Sequence, residues 1–370
     1  MTATRPVVTF EVAHTDRSSR FGLAFWTLLV VALTTAPYWG DRQTMRLLAE
    51  VYSYVALASL WNLLAGYAGL VSVGQQSYVG LGGYILFLCA LSAGINPIAA
   101  IPVAGLVCGL LAVPIVLLLF RLRGAYFTIG SWVVAEVFLQ IFQQVPAVGG
   151  GSGISLPAAV VKAIATTRDG REFLIYWIFL GVVVIVVGLI VLLLRTRYGL
   201  ALTAIRDNEM AANSNGIDVN RARLLVFVVA AFATGMVGAM IFLQKLSITP
   251  FSAFSIGDWT VNVIFITVIG GIGRVEGPII GTVIFFLLRE FLADLGSVYL
   301  IILGVVAIIV MLAAPKGLWG YLADRFGWQL FPLARRLERR TVTVELAGPA
   351  AKGRVEAGAW KALRYGDPAP

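Results

Sequence analysis

Histidine is nearly absent from this sequence: one occurs in 370 residues, at position 14. That excludes a His-dependent base, a His-ligated metal or a Ser-His-Asp triad from the rest of the chain. Charge is scarce as well, at 13% of residues, about half the share of an ordinary soluble domain. Cysteine is limited to Cys89 and Cys108. Both lie in apolar stretches, where a thiol behaves as a small hydrophobe, so neither a disulfide nor a metal site is expected. No Gly-x-x-x-x-Gly-Lys stretch occurs. The chain therefore lacks a Walker A loop to cradle ATP phosphates, and any ATP hydrolysis has to come from a partner. No resident cofactor, metal or intrinsic catalysis is expected. No small-x-small cleavage site follows the first apolar run, which is read as a retained span.

What the chain has in quantity is apolar surface. It is 59% hydrophobic, with a mean hydropathy of +0.89. Apolar stretches recur at 21–39, 45–65, 77–93, 97–120, 125–145, 173–194, 223–243, 259–272, 277–293 and 297–314. As helices, most are long enough to cross about 30 Å of hydrocarbon. The expected fold is an all-α integral membrane protein, a polytopic bundle of about 8–10 transmembrane helices. The third, eighth and ninth stretches are short or Gly-rich. Half-helices or re-entrant segments are open alternatives there, because irregular backbone survives at membrane depth only where protein or a cavity covers it.

The formal charge of +9 does not imply nucleic-acid binding, because the basic residues lie between apolar segments and in the tail. Most of the 28 Lys and Arg fall on one side if the N-terminus is inside, which predicts both termini cytoplasmic. The organisation is then a cytoplasmic arm (1–20), a transmembrane domain (21–314) and a basic cytoplasmic tail (315–370), partly disordered from 347. The outer loop 146–172 opens on a flexible Gly149, Gly150, Gly151, Ser152, Gly153 run. The cytoplasmic loop 195–221 contains a helix-compatible stretch, 200–213, bounded by Gly199 and Gly216. In the tail, Arg335, Arg336, Arg339 and Arg340 stand beside Leu330, Phe331 and Leu337. That pattern suits either anionic lipid headgroups or solvent.

Polar groups inside the spans are candidates for a solute path, since lipid-facing charge costs at least about 2.5 kcal/mol. Glu136 lies midway along the fifth stretch, with Gln140 and Gln143 near its helical face; it is either a path-lining group or a carboxyl bonded to a neighbouring helix. Glu50, near a span end, reads as interfacial. Residues 66–84, GYAGLVSVGQQSYVGLGGY, concentrate glycine around Ser72, Gln75, Gln76 and Ser77. A Gly-interrupted apolar stretch with central polar groups fits a solute path, and equally fits close helix packing. A second such stretch, VIGGIGRVEGPIIG, covers 268–281, where Arg274 and Glu276 are placed to pair.

Several of these blocks jointly resemble the LivM-type inner-membrane permease of branched-chain amino-acid ABC importers. The likeness runs from about residue 51 to 317. GLVSVGQQSYVGLGGY is similar to the family's Gly-Leu-x-Ser-x-Gly block, RLRGAYFTI (121–129) to its Leu-Arg-Gly-x-Tyr-Phe block, and GGGSGI (149–154) to its Gly-rich periplasmic segment. The longest match, 198–240, opens YGLALTAIRDNEMAANSNGIDV and resembles the cytoplasmic coupling loop with its following span. On this loop Arg206, Asp207 and Glu209 supply charge for coupling to a separate ATPase, and the resemblance implies that Glu209, Ala211, Ala212 and Gly216 occupy the coupling motif that docks on an ATP-binding subunit. It implies three kinds of partner besides membrane lipid: a paralogous permease forming a heterodimer, two ABC ATPase subunits that bind the ATP, and a periplasmic solute-binding protein. One departure stands out. Where the family often has Gly-His-Ala, this chain has Gly74, Gln75 and Gln76, a neutral polar pair in place of a titratable group. Permeases of urea and short-amide importers belong to the same broad family and remain an alternative, as does a secondary transporter or channel working alone.

Overall fold

The computed structural model describes residues 4–13, 17–292, 298–314, 316–326, 330–331 and 336–345. The stretch after 347, expected to be unstructured, lies outside the described residues. All ten apolar stretches form helices. The first half of the bundle is α1 (Arg17–Trp39), α2 (Arg42–Asn62), α3 (Gln75–Leu91), α4 (Pro97–Leu119) and α5 (Ala125–Gln144). A short α6 (Ala158–Ile164) then precedes the long α7 (Arg168–Arg195). Two small helices, α8 (Arg197–Asp207) and α9 (Glu209–Ser214), lead into α10 (Val219–Lys245). After the single turn α11 (Pro250–Ala253) come α12 (Asn262–Gly270), α13 (Glu276–Leu292), α14 (Val298–Ala313) and α15 (Gly317–Phe326). Seven helices among the described residues are long and apolar enough to cross a membrane. α3 and α13, at 17 residues each, fall short of that length, as expected from their sequences.

Local chemistry sets the helix starts. Asp41 accepts from the Thr44 amide at 2.9 Å and from its hydroxyl at 2.6 Å, capping α2. These two donors, the hydroxyl first, hold the Asp41 carboxyl below the usual carboxylate range. Asn96 caps α4 ahead of Pro97, whose missing N–H is harmless at a first helical position.

Glycine sets the packing. α10 runs through the middle of the bundle against α3 and α4. A Cβ at Gly82 of α3 would overlap the Gly235 carbonyl, one at Gly238 would overlap Val79, and one at Gly235 would meet Cys108 Sγ at 2.5 Å. Three helices thus touch backbone to backbone, the geometry that small residues permit within a bilayer. The apolar window of α2 is 78% buried and that of α10 61%, against 17% for α5 and 28% for α7. α5 and α7 therefore form the flanks.

Two expectations change. The run 149–153 is not a free loop. Gly149, Gly150 and Gly153 adopt φ values of +83°, +51° and +78°, and strand β2 (Ile154–Ser155) pairs antiparallel with β3 (Ser247–Ile248). A side chain at Gly153 would overlap the Ile248 carbonyl, so the glycines serve close approach rather than mobility. The single helix expected over 200–213 is broken at Asn208, which takes extended backbone (φ −158°, ψ 107°) and caps α9 by accepting from the Ala211 amide at 3.0 Å.

At the chain ends, β1 (Thr4–Ala13) pairs antiparallel with β4 (Arg336–Glu345). The basic stretch of the tail enters this ladder from position 336, where the alternating Thr and Val of RLERRTVTVE favour a strand.

Candidate functional site

The chain leaves regular helix between α2 and α3, and the polar residues of that stretch gather there. α2 ends in a π-helical turn, Leu63–Tyr67, in which the Ala68 amide donates to the Leu63 carbonyl at 3.2 Å. Residues 68–74 are irregular, and α3 restarts at Gln75. Side chains from other helices satisfy this backbone. Trp61 Nε1 donates to the Ser72 carbonyl at 2.8 Å. Thr128 Oγ1 of α5 donates to the Val71 carbonyl at 2.8 Å, and Ser131 Oγ accepts from the Val73 amide at 2.9 Å. Ser72 Oγ accepts from Gly74 N at 3.2 Å. Gly74 lies so close to Ser131 that a Cβ would overlap its carbonyl. Irregular backbone is tolerated in a membrane domain under this kind of protein cover.

Ser72, Gln75, Gln76 and Ser77 are all buried, Gln76 completely. Gln75 Nε2 donates to the Leu57 carbonyl at 2.9 Å, while Gln76 Oε1 accepts from Thr260 Oγ1. Gln75 Oε1, Gln76 Nε2 and Ser77 Oγ are buried with no partner. Buried polar atoms are usually bonded, so each of these marks unused capacity. A cavity of about 20 Å³ adjoins Ser72, Gln75, Tyr78 and Thr234, which is room for about one water and no larger solute.

Glu136 and Gln140 lie elsewhere, on the flank of α5. Glu136 is half-buried, and its carboxylate accepts from Trp132 of its own helix at 3.2 Å. Gln140 is exposed beside it. With Val133, Val137, Ile141 and Gln144 they line an open groove of about 510 Å³. The structure does not bring Glu136 together with Gln75 and Gln76. What joins the two sets is α5, whose Thr128 and Ser131 hold the irregular turn.

The residues expected to serve coupling lie on α8 and α9 and just beyond. Asp207, Glu209 and Ala211 are exposed, and Met210 projects at 80% exposure. Ala212 is instead buried at 2%, so it seats α9 on the bundle and does not belong to the exposed face. Gly216 follows α9 at φ +80°; its amide and that of Ile217 donate back to the Asn213 and Ala212 carbonyls at 2.9 and 3.1 Å, closing the helix. Glu209 pairs with Arg223 at 2.9 Å, and Arg206 Nη1 reaches inward to the Gly66 carbonyl at 2.8 Å.

Between this arm and the α4–α5 connection opens a cavity of about 1190 Å³. Gly69, Val71, Arg123, Thr128, Met210 and Arg223 are among the residues lining it. Residues 43–314 match the family described as branched-chain amino acid transport system / permease component. The chain belongs to this permease family. It is similar to the high-affinity branched-chain amino acid transport system permease protein LivM of Escherichia coli, at 25% identity over 80% of this chain and 74% of the relative. A probable LivH permease of Methanocaldococcus jannaschii is 31% identical over 38% of this chain and 46% of its own length. The ribose import permease RbsC of Haemophilus influenzae is 29% identical over 32% and 38%. No solved structure matches.

The permease is thus a multi-pass transport protein, and the 1190 Å³ cavity lies beside its α8–α9 arm. Sequence reading missed Trp61, Thr128, Ser131, Arg223 and Thr260. Arg223 reads as an ordinary loop cation. Thr128 and Ser131 carry a fainter signal, a polar pair three residues apart in the first half of α5, ahead of Glu136 and the glutamines.

Proposed function

We propose that this permease is one half of the membrane pore of an ATP-driven importer for branched-chain or related hydrophobic amino acids. A separate solute-binding protein delivers the substrate, and two ATPase subunits bind and hydrolyse the ATP. The observation that carries this reading is the α8–α9 arm, which holds an 80% exposed methionine and acidic residues outside the bundle in a chain with no phosphate-binding loop. An apolar knob ringed by charge suits a cleft on another protein better than solvent.

The second half of the pore is a paralogous permease, which covers the α5 groove. A half-buried carboxylate and two glutamines facing hydrocarbon would be costly, and a protein partner or a watered path between the two removes that cost. The membrane is the bacterial inner membrane. Both termini lie on the cytoplasmic side, a reading supported by the β1–β4 pairing and by the basic residues of loop 195–221. The likeness to a ribose import permease over about a third of the chain fits a scaffold whose solute preference is set largely by the binding protein.

The test is reconstitution of the permease in proteoliposomes with its paralogue, its ATPases and the binding protein. Leucine, isoleucine or valine uptake is expected only when ATP and the binding protein are both present. Solute flux through the purified chain alone would overturn the importer reading in favour of a stand-alone carrier or channel.

A further inference from the structure

The irregular turn between α2 and α3 is held from below by arginines and from the side by α5. The π-helical turn Leu63–Tyr67 leaves carbonyls at the end of α2 without backbone donors, and a helix C-terminus carries partial negative charge. Arg206, in the last turn of α8, donates to the Gly66 carbonyl at 2.8 Å; its Cα lies 3.5 Å from where a Cβ on Gly69 would stand. Arg223, in the second turn of α10, points Nε at the Ala68 carbonyl at 3.5 Å and pairs through Nη1 with Glu209 of α9 at 2.9 Å. The two guanidiniums lie on either side of α9 in sequence, one near the end of α8 and one near the start of α10. Both reach the same turn.

Above them, the turn is bonded to α5 by Thr128 and Ser131 at 2.8 and 2.9 Å. Asn62 adds a third anchor, with Nδ2 donating to the Arg274 carbonyl and Oδ1 accepting from Gly273 N, each at 2.8 Å. The Arg206-to-α5 link is short. It passes through one guanidinium, one turn at positive φ (Gly69, +69°) and two hydroxyls. No comparable set of hydrogen bonds joins α9 to α5 directly among the described residues.

We infer that Arg206 is a transmitting residue: it conveys displacement of the α8–α9 arm to the 66–74 turn, and through Thr128 and Ser131 to α5. This rests on the importer reading for its consequence in transport, but the mechanical link stands on the hydrogen bonds alone. A charge-assisted bond to a carbonyl that has lost its helical donor is the strong element of the path, and the hydroxyl bonds to α5 are its weaker continuation. Contiguity alone is not coupling, so the link has to be measured as a response at one end to a change at the other.

Two measurements test it. In the purified permease, Arg206→Met is expected to speed hydrogen exchange about tenfold at 66–74 and also at 125–131, leaving 79–87 in α3 unchanged. In proteoliposomes with ATPases and binding protein, the solute moved per ATP is expected to fall about tenfold in the same variant. Arg206→Lys, which keeps a charged donor, recovers part of that ratio, and Thr128→Val lowers it in the same sense. Exchange that rises only around position 206, or an unchanged ratio in both Arg206→Met and Thr128→Val, overturns the inference. Joint loss of ATP hydrolysis and uptake in Arg206→Met also overturns it, because that would make Arg206 a docking residue. Should Arg206→Met fail to accumulate, Arg206→Lys and Thr128→Val are judged by the same two readouts. The exchange measurement needs no ATPase, so it tests the link even if wild-type protein shows no ATP-dependent uptake, a result that would defeat the importer reading instead.

Discussion

Met210, Glu209 and Glu136 are the side chains whose exposure calls for an explanation. Met210 at 80% exposure gains nothing from solvent, and burying it fully in a partner is worth about 1.5–3 kcal/mol. Glu209 pairs with Arg223 across a surface where such a pair contributes only about 0.2–1 kcal/mol, so breaking it leaves the fold standing. Glu209→Arg and Met210→Asp are therefore expected to accumulate at wild-type level and melt within a few degrees of it. Uptake should fall about tenfold or more, and binding of the ATPases should weaken in a pull-down. Unchanged uptake in both variants would remove α9 from the docking surface. Glu136 is tested separately. If its carboxylate lines the solute path, Glu136→Gln lowers uptake with no loss of protein in the membrane; full uptake would leave the group a structural one.

At the scale of elements, the contact of α3, α4 and α10 is set by absent side chains. Adding a methyl at Gly82 presses on the Gly235 carbonyl, a backbone group that cannot rotate away, and overpacking of this kind costs about 1–3 kcal/mol. Gly188 in α7 has no atom within 4 Å of its would-be Cβ, so Gly188→Ala should be neutral or stabilise by up to ~1 kcal/mol through helix propensity. Thermal unfolding in detergent, followed by tryptophan fluorescence, is expected to move down for Gly82→Ala and to hold or rise for Gly188→Ala. Equal shifts would mean that the close packing is not what holds these helices together. The same contrast explains what was legible from sequence. The ten apolar helices could be read because recurring apolar stretches mark them, although only seven helices among the described residues are long and apolar enough for a full span. The break at Asn208 was not, since a residue that caps α9 by accepting from the Ala211 amide looks, in a string, like any polar residue on a surface helix. The role of Gly149 and Gly153 was misread for a related reason: glycine signals freedom when its neighbours are unknown and close approach when they are known. Gln75 and Gln76 stand out in the sequence as polar groups in an apolar stretch, but their partners do not: Gln75 bonds the Leu57 carbonyl of the preceding helix, and Gln76 bonds Thr260, 184 residues away.

For the whole molecule, the decisive feature is the difference between two of its peripheral helices, α7 and α5. On α7 the exposed side chains Val184, Ile185, Leu189 and Leu192 are uniformly apolar, as hydrocarbon requires. On α5, Ile129, Val133, Val137 and Ile141 are equally exposed but are interleaved with Glu136, Gln140 and Gln144 around a 510 Å³ groove. Lipid accounts for the first pattern and not for the second. Without a hydrophobic driving force between helices in a bilayer, a flank of this kind gains from a protein neighbour through packing and hydrogen bonds to its polar groups. A photo-crosslinking amino acid at Val137 or Ile141 is therefore expected to give a permease–permease adduct when both halves of the pore are co-expressed, with yield falling when the paralogue is omitted. The same probe at Ile185 or Leu189 is expected to give lipid adducts only. Adducts of equal yield from both flanks would mean that α5 holds no special interface. Adducts at Val137 in the absence of the paralogue would identify the neighbour as a second copy of this chain, leaving the polar groove covered but changing the composition of the pore.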